Sequence, residues 1–118
     1  MTTILIVEDD PMVAELNSRL IRTMEGFSKP VVVGDAREAL LYLENNSVDL
    51  ILLDIYLPGM NGLELLSRIR DLRYPVDVMV VSAARDSHSI QTALRAGAVD
   101  YLIKPFDFER LRQALLAY

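Results

Sequence analysis

The chain has 118 residues, of which 52% are hydrophobic and 25% are charged, and this fits one globular domain rather than a disordered segment. It contains no cysteine, which excludes disulfides, thiol catalysis and cysteine-ligated metals and fits a cytoplasmic protein. Its net charge of −5 argues against DNA binding by these residues themselves. No apolar run reaches the roughly 18 residues of a membrane span, so we expect no membrane contact.

Five short apolar runs are predicted to be strands, because consecutive apolar residues are typical of strands covered on both faces. In chain order they are Thr3–Val7, Val31–Val33, Leu50–Leu53, Val76–Val81 and Tyr101–Ile103. Each is followed by apolar residues at helical spacing. Asp10 and Asp35 are predicted to cap the first two helices. The arginines of the third and fifth helices, Arg70 among them, are interpreted as solvated.

Strands that alternate with helices predict a parallel sheet with helices on both faces. Right-handed crossovers leave few topologies. The strand order 2-1-3-4-5 is favoured, because it places the most apolar runs, the first, third and fourth, in the centre of the sheet. The predicted fold is therefore a doubly wound α/β fold of the flavodoxin-like (βα)5 type.

Polar residues follow four of the predicted strands. Glu8 and Asp9 follow the first strand, Asp54 the third, Ser82 the fourth and Lys104 the fifth. In a doubly wound sheet the carboxyl ends of the strands meet at one crevice, here between the first and third strands. We therefore expect the three carboxylates to converge there, beside the serine and the lysine.

Three neighbouring carboxylates repel one another, and a hard cation with oxygen ligands relieves that repulsion. Mg²⁺ is the usual choice where phosphate is also bound. Lys104 and Ser82 could then share the oxygens of a phosphoryl group with the metal. Asp54, at the centre of the crevice, is the predicted nucleophile and would form an acyl phosphate. Lys104 is one of only two lysines in the chain, beside Lys29.

Two other functions share this sheet type. A phosphatase working through a phospho-aspartate usually needs a carboxylate two residues beyond the nucleophile, and Tyr56 occupies that position. A flavin-binding module would need a phosphate loop rich in serine, threonine or glycine after the first strand. Here the acidic residues Glu8 to Asp10 stand there instead. Both alternatives fit these residues less well than acceptance of a phosphoryl group by Asp54.

Four segments, ILIVEDDP, LLDIYLPGMNG, VVSA and DYLIKPF, together resemble the receiver domain of bacterial two-component response regulators. They span essentially the whole chain in the order of the family. The segments DPMVAELN and AVDYLIKPFDFERLRQALLAY further resemble the subfamily that controls citrate and dicarboxylate metabolism. The resemblance implies that residues 1–118 form one receiver domain and that a DNA-binding output domain lies outside them, beyond the C-terminus.

The resemblance also implies a role for each site residue. Asp54 would be the phosphoacceptor, with Lys104 and Ser82 binding the phosphoryl group. The Mg²⁺ ligands would be Asp9, Asp54 and the backbone carbonyl of Tyr56, with Glu8 acting through water. Ser82 and Tyr101 would be the switch residues, and the Lys104–Pro105 bond would be cis.

In such a protein a sensor histidine kinase donates the phosphoryl group, and the chain is a signalling domain rather than an enzyme. Phosphorylation would alter the surface formed by the fourth helix, fifth strand and fifth helix. That surface would control a transcriptional output domain, and phosphorylation would allow a homodimer to form. DNA would be contacted only through the output domain.

Overall fold

The computed structural model describes residues 1–118 as a five-stranded sheet with helices on both faces. All strand pairs are parallel, and the order β2-β1-β3-β4-β5 confirms the predicted topology. The strands are β1 (Ile4–Val7), β2 (Val31–Val33), β3 (Leu50–Leu53), β4 (Asp77–Ser82) and β5 (Asp100–Ile103). The helices are α1 (Pro11–Arg22), α2 (Ala36–Asn45), α3 (Gly62–Asp71), α4 (Ser87–Arg95) and α5 (Phe108–Ala117).

Three strands differ from the prediction by one residue at one or both ends, because backbone pairing does not stop where the apolar residues stop. β4 is displaced by one residue: it begins at Asp77, whose N–H donates to the Asp49 carbonyl, and it includes Ser82, which is in register with Ile103. β5 begins one residue early, at Asp100, the register partner of Met79. β1 begins one residue late, at Ile4.

The two faces of the sheet hold separate hydrophobic cores, since alternate strand residues point to opposite sides. Leu5, Leu53 and Val80 pack with α2, α3 and α4 on one face. Ile6 and Leu52 pack with α1 and α5 on the other. Burying each such side chain contributes about 1.5–3 kcal/mol, so both faces hold the central strands in place. No helix combines the length and apolarity needed to cross a membrane.

Side chains that accept backbone N–H donors mark the start of every helix. Asp10 accepts from the N–H groups of Met12 and Val13, and Asp35 accepts from that of Glu38, as predicted. Further capping side chains open α3, α4 and α5, namely Asn61, Asp86 and Asp107. The caps satisfy N–H groups that have no partner within the helix. They therefore fix where each loop after a strand ends.

Candidate functional site

The carboxyl edge of the sheet, defined here as Glu8, Asp9, Asp54, Ser82 and Lys104, brings the predicted acidic residues together. Val7 and Leu53 are register partners at the ends of β1 and β3, so the residues that follow them emerge side by side. Carboxylate oxygens of Glu8, Asp9 and Asp54 lie within 4.8 Å of one another. The predicted convergence of the three carboxylates is therefore present in the structure.

Lys104 is the cation that faces this cluster. Its Nζ donates to Glu8 Oε1 at 2.7 Å and to Asp54 Oδ2 at 3.1 Å. Glu8 and Asp54 are only 5% and 6% exposed, whereas Asp9 is exposed and takes part in none of the ion pairs. One lysine thus pairs with the two buried carboxylates, and the third carboxylate, that of Asp9, has no cation. Such an all-oxygen set with excess negative charge fits a hard divalent cation such as Mg²⁺.

The pKa values at the carboxyl edge reflect burial and pairing. Burial raises the pKa of Glu8 above its usual value, although its hydrogen bond with Lys104 acts in the opposite direction. Burial alone would lower the pKa of the Lys104 ammonium, but the hydrogen bond to Glu8 and the charge of Asp54 outweigh it and raise that pKa. Lys104 is therefore held as a cation next to the carboxylates.

Backbone N–H groups orient two of the carboxylates. The Tyr56 N–H donates to Asp54 Oδ1 at 3.1 Å, and the Asp10 N–H donates to Glu8 Oε2 at 3.2 Å. The Asp54 N–H donates to the Val7 carbonyl and continues the pairing of β3 with β1. Asp54 Oδ1 and Oδ2 thus have different partners, Tyr56 and Lys104, which fix the carboxylate plane. Tyr56 as a whole residue is 59% exposed.

The predicted switch residues, Ser82 and Tyr101, both contact the loop after β4. Ser82 is fully buried, and its Oγ accepts from the Ala84 N–H at 3.3 Å. The half-buried Tyr101 donates its hydroxyl to the Ala84 carbonyl at 2.6 Å. Burial, followed by the charge of Asp86, raises the pKa of Tyr101 to about 12. Ser82 and Tyr101 therefore hold the same short loop from two sides.

The Lys104 backbone is tied to the neighbouring strand. Its N–H donates to the Ser82 carbonyl at 2.9 Å, and the Lys104–Pro105 peptide bond is cis, as the resemblance implied. Lys104 directly follows β5, and its side chain reaches Glu8 and Asp54.

Sequence reasoning misread one residue. The prediction that Arg70 is solvated is wrong, because this half-buried side chain donates to the Ala96 carbonyl at 2.8 Å and to the Val76 carbonyl at 2.7 Å. It links α3 to the residues that precede β4 and β5. Its carbonyl partners are backbone atoms distant in sequence, which no local pattern reveals.

Sequence reasoning also passed over two residues that shape the molecule. Gly62 lies against the backbone of Asp54, and the segment LPGMNG was its only signal. The Tyr118 hydroxyl donates to Asp77 Oδ2 at 2.7 Å, across the start of β4.

Comparison with known proteins identifies related chains. The profile of the response regulator receiver domain matches residues 4–116. The transcriptional regulatory protein MalR of Bacillus subtilis is 52% identical over the whole chain, which covers 50% of MalR. The probable C4-dicarboxylate response regulator DctR of Bacillus subtilis is 44% identical over 98% of the chain, which covers 51% of DctR. The chain thus spans about half the length of these curated relatives, and the predicted likeness to dicarboxylate regulators is confirmed.

Solved structures confirm the fold. The receiver domain of a LuxO repressor protein from Vibrio parahaemolyticus superposes with a TM-score of 0.91 at 28% identity, covering 98% of this chain and 88% of that one. CheY in the CheX–CheY–BeF3–Mg²⁺ complex from Borrelia burgdorferi matches with a TM-score of 0.89 at 26% identity, with coverage of 98% and 87%. With its sheet order, its acidic carboxyl edge and the profile match, the chain belongs to the response regulator receiver domain family.

Proposed function

We propose that this chain is the phosphate-accepting switch of a transcriptional regulator and that Asp54 is its phosphoacceptor. The observation that carries this proposal is the contact of a buried Asp54 with both Lys104 and an acidic neighbour. Asp54 Oδ2 lies 3.1 Å from Lys104 Nζ, so an ammonium already stands where a phosphoryl oxygen would need charge compensation. The family to which the chain belongs supports the same role.

In the proposed reaction, a carboxylate oxygen of Asp54 attacks the phosphorus of a phosphohistidine on a sensor histidine kinase. The phosphorus–nitrogen bond breaks, the histidine leaves with the bonding pair and takes up a proton, and an aspartyl phosphate forms. Lys104 and Ser82 would bind phosphoryl oxygens, while the Tyr56 N–H orients Asp54. The chain itself is a phosphate-accepting signalling domain, and the kinase supplies the phosphoryl group.

The metal assigned to this site is Mg²⁺, held by Asp9, Asp54 and the Tyr56 carbonyl, with Glu8 acting through water. When bound, it would neutralise the carboxylates and draw charge from the phosphoryl oxygens. The donor set fits this ion because every candidate ligand atom is an oxygen and three carboxylates face one lysine. The CheY–BeF3–Mg²⁺ complex of a structural relative supports the assignment.

The proposed output is a change of the surface formed by α4, β5 and α5. Tyr101 supports this route, because it lies in β5 and its hydroxyl holds the loop that leads from Ser82 to α4. A Ser82 hydroxyl drawn towards the phosphoryl group would give up its contact with the Ala84 N–H, and Tyr101 would repack. Homodimer formation on phosphorylation is part of this proposal.

DNA contact is assigned to a separate output domain of the full regulator. Two features support this division: the relatives MalR and DctR are regulators about twice as long, and this chain carries a net charge of −5. Residues 1–118 are accordingly proposed to be the receiver domain alone.

Intact-mass spectrometry after incubation with acetyl phosphate tests the phosphoacceptor. The wild type is expected to gain one phosphoryl group in Mg²⁺ and none in EDTA, and Asp54→Asn to gain none. Asp77→Asn, at the opposite edge of the sheet, is the matched control and should label like the wild type. Equal labelling of Asp54→Asn and the wild type would refute the assignment.

Nuclear magnetic resonance tests the output surface. Beryllofluoride with Mg²⁺, a stand-in for the phosphoryl group, is expected to shift amides throughout residues 90–115. Asp54→Asn is the control that should show no such shifts. If the wild-type shifts stay within the residues around Asp54, the switching role fails while the phosphoacceptor assignment stands.

A further inference from the structure

Gly62, the first residue of α3, lies directly against the backbone of Asp54. A Cβ atom built on Gly62 would overlap the Asp54 carbonyl oxygen and would stand 2.7 Å from Ile55 Cα. Both neighbours are main-chain atoms, so they cannot turn aside as the end of a flexible side chain can. Any side chain at position 62 therefore has to displace either α3 or the backbone that carries Asp54.

Hydrogen bonds hold Gly62 in this close approach. Its N–H donates to the Ile55 carbonyl at 2.7 Å, and the Leu57 N–H donates to the same oxygen at 3.1 Å. The loop between β3 and α3 is thus closed on Ile55. Tyr56 lies inside this closed segment and donates its N–H to Asp54 Oδ1. A shift of α3 at Gly62 would therefore reach both the Asp54 carboxylate and the Tyr56 carbonyl.

Gly59, in the same loop, is a glycine for a different reason. Its φ of +76° lies in the left-handed region, and a Cβ there would meet nothing within 4 Å. Gly62, by contrast, has a backbone conformation that other residues adopt readily, so space alone demands a glycine there. The loop thus offers one glycine needed for conformation and one needed for contact with the site.

We propose that Gly62 is a positioning residue for phosphoryl acceptance, which rests on the function proposed above. Without a side chain, Gly62 lets α3 reach the Asp54 backbone and hold the loop of Tyr56. This contact sets the direction of the Asp54 carboxylate and of the Tyr56 carbonyl. Gly62 acts through these two residues and touches neither the metal nor the phosphoryl group.

Gly62→Ala and Gly59→Ala form the decisive pair, because both add one methyl group within the same loop. We measure the Mg²⁺ dissociation constant from tyrosine fluorescence and the rate constant of labelling by acetyl phosphate, with circular dichroism to confirm folding. Gly62→Ala is expected to lose about tenfold or more in rate constant or Mg²⁺ affinity, since small displacements of reacting groups are costly. Gly59→Ala is expected to melt at a lower temperature yet keep both constants near wild type.

The outcomes separate the two proposals. A wild type that takes up no phosphoryl group would refute the proposed function. A wild type that labels normally, beside a folded Gly62→Ala variant with unchanged rate constant and Mg²⁺ affinity, would overturn only the role of Gly62. Equal losses in the two variants would also overturn it, because loop destabilisation would then account for both.

If Gly62→Ala does not fold, Asn61→Ala replaces it. This change removes the side chain that accepts from the Glu64 N–H at 3.0 Å and caps α3, so it loosens the start of the helix without filling the space beside Asp54. A folded Asn61→Ala is expected to lose Mg²⁺ affinity several-fold, while Asp107→Ala, which uncaps α5, should not. Unchanged affinity in Asn61→Ala would overturn the role of Gly62.

Discussion

Both edges of the sheet carry carboxylates, but the carboxylates of the two edges have different hydrogen-bonding partners. At the carboxyl edge, the buried Glu8 and Asp54 share Lys104, and Asp9 has no cation. At the amino edge, defined here as Thr3, Asp49, Val76, Asp77 and Tyr118, the aspartates accept hydrogen bonds from neutral groups. Asp49 accepts from the Thr3 N–H and hydroxyl, and Asp77 from the Tyr118 hydroxyl.

Because their partners differ, the two edges also differ in their capacity to bind a cation. Both neutral donors of Thr3 reach the same oxygen, Oδ2 of the exposed Asp49, and this contact ties β1 to β3. The carboxyl edge keeps a surplus of negative charge that a cation can relieve. The carboxyl edge, where Glu8 and Asp54 are buried, can thus bind a cation, whereas the aspartates of the amino edge are exposed to water.

Removing Lys104 should produce the largest loss of stability. Lys104→Met leaves Glu8 and Asp54 buried without a cation. The expected loss is about 2–3 kcal/mol at neutral pH in EDTA. This is below the roughly 3–5 kcal/mol of fully buried pairs, because the lysine side chain is 22% exposed. Urea denaturation measures this loss of unfolding free energy, and added Mg²⁺ should restore part of the lost stability.

Lys29, the other lysine, provides the control for this prediction. It is exposed and forms none of the ion pairs, so Lys29→Met should change the free energy of unfolding by less than about 0.5 kcal/mol. Similar losses in the two variants would show that the charge balance of the carboxyl edge does not contribute to stability.

Beside the amino edge, Arg70, which donates to the Val76 carbonyl, should be the most sensitive position. Arg70→Met leaves the Val76 and Ala96 carbonyls without a charged donor. The expected cost is about 1.5–3 kcal/mol of unfolding free energy, with phosphorylation of Asp54 unchanged. Arg68→Met, on the exposed side of the same helix, is the matched control. If a folded Arg70→Met variant lost labelling, contacts beside the amino edge would be shown to affect phosphorylation at the carboxyl edge.

The sequence predicted the carboxyl edge better than the amino edge, for a physical reason. Each acidic residue there lies within two residues of the end of an apolar strand, so topology alone brings Glu8, Asp9 and Asp54 together. At the amino edge the contacts join residues far apart in the chain, such as Tyr118 with Asp77. No local pattern marks such pairs.

The sheet order and all ten elements were also predictable, since apolar runs and caps are local signals. The ends of the strands were less predictable. Asp77 and Asp100 are polar residues that enter strands because a neighbouring strand offers hydrogen-bonding partners in register. The contact of Gly62 with Asp54 likewise depends on how closely α3 approaches β3, which only the folded backbone determines.

Opposite shifts in melting temperature should follow when one carboxylate is neutralised at each edge. Asp9→Asn removes an unpaired charge beside two others and is expected to raise the melting temperature by about 2–5 °C in Mg²⁺-free, low-salt buffer. Asp49→Asn weakens the hydrogen bonds from Thr3 and should lower it. Added Mg²⁺ should stabilise Asp49→Asn like the wild type and Asp9→Asn much less. If the melting temperatures of Asp9→Asn and Asp49→Asn shifted in the same direction, the difference between the two edges would be contradicted.

The smallest expected effect is a pH dependence of opposite sign at the two edges. Burial raises the pKa of Glu8 in the fold, so its stabilising contribution is complete below its unfolded pKa of about 4.3 and is lost as the pH rises through the raised value. The N–H and hydroxyl of Thr3 lower the pKa of Asp49. Its contribution is present above its unfolded pKa of about 3.9 and is lost as the pH falls through the lowered value.

Urea midpoints of Glu8→Gln, Asp49→Asn and the wild type between about pH 3 and 7 test both signs. Relative to the wild type, Glu8→Gln should gain stability as the pH rises above about 4.3, and Asp49→Asn should lose stability as the pH rises towards about 3.9 and then level off. Parallel slopes in the two variants would mean that both carboxylates respond to the net charge of the whole chain rather than to the edge on which they lie.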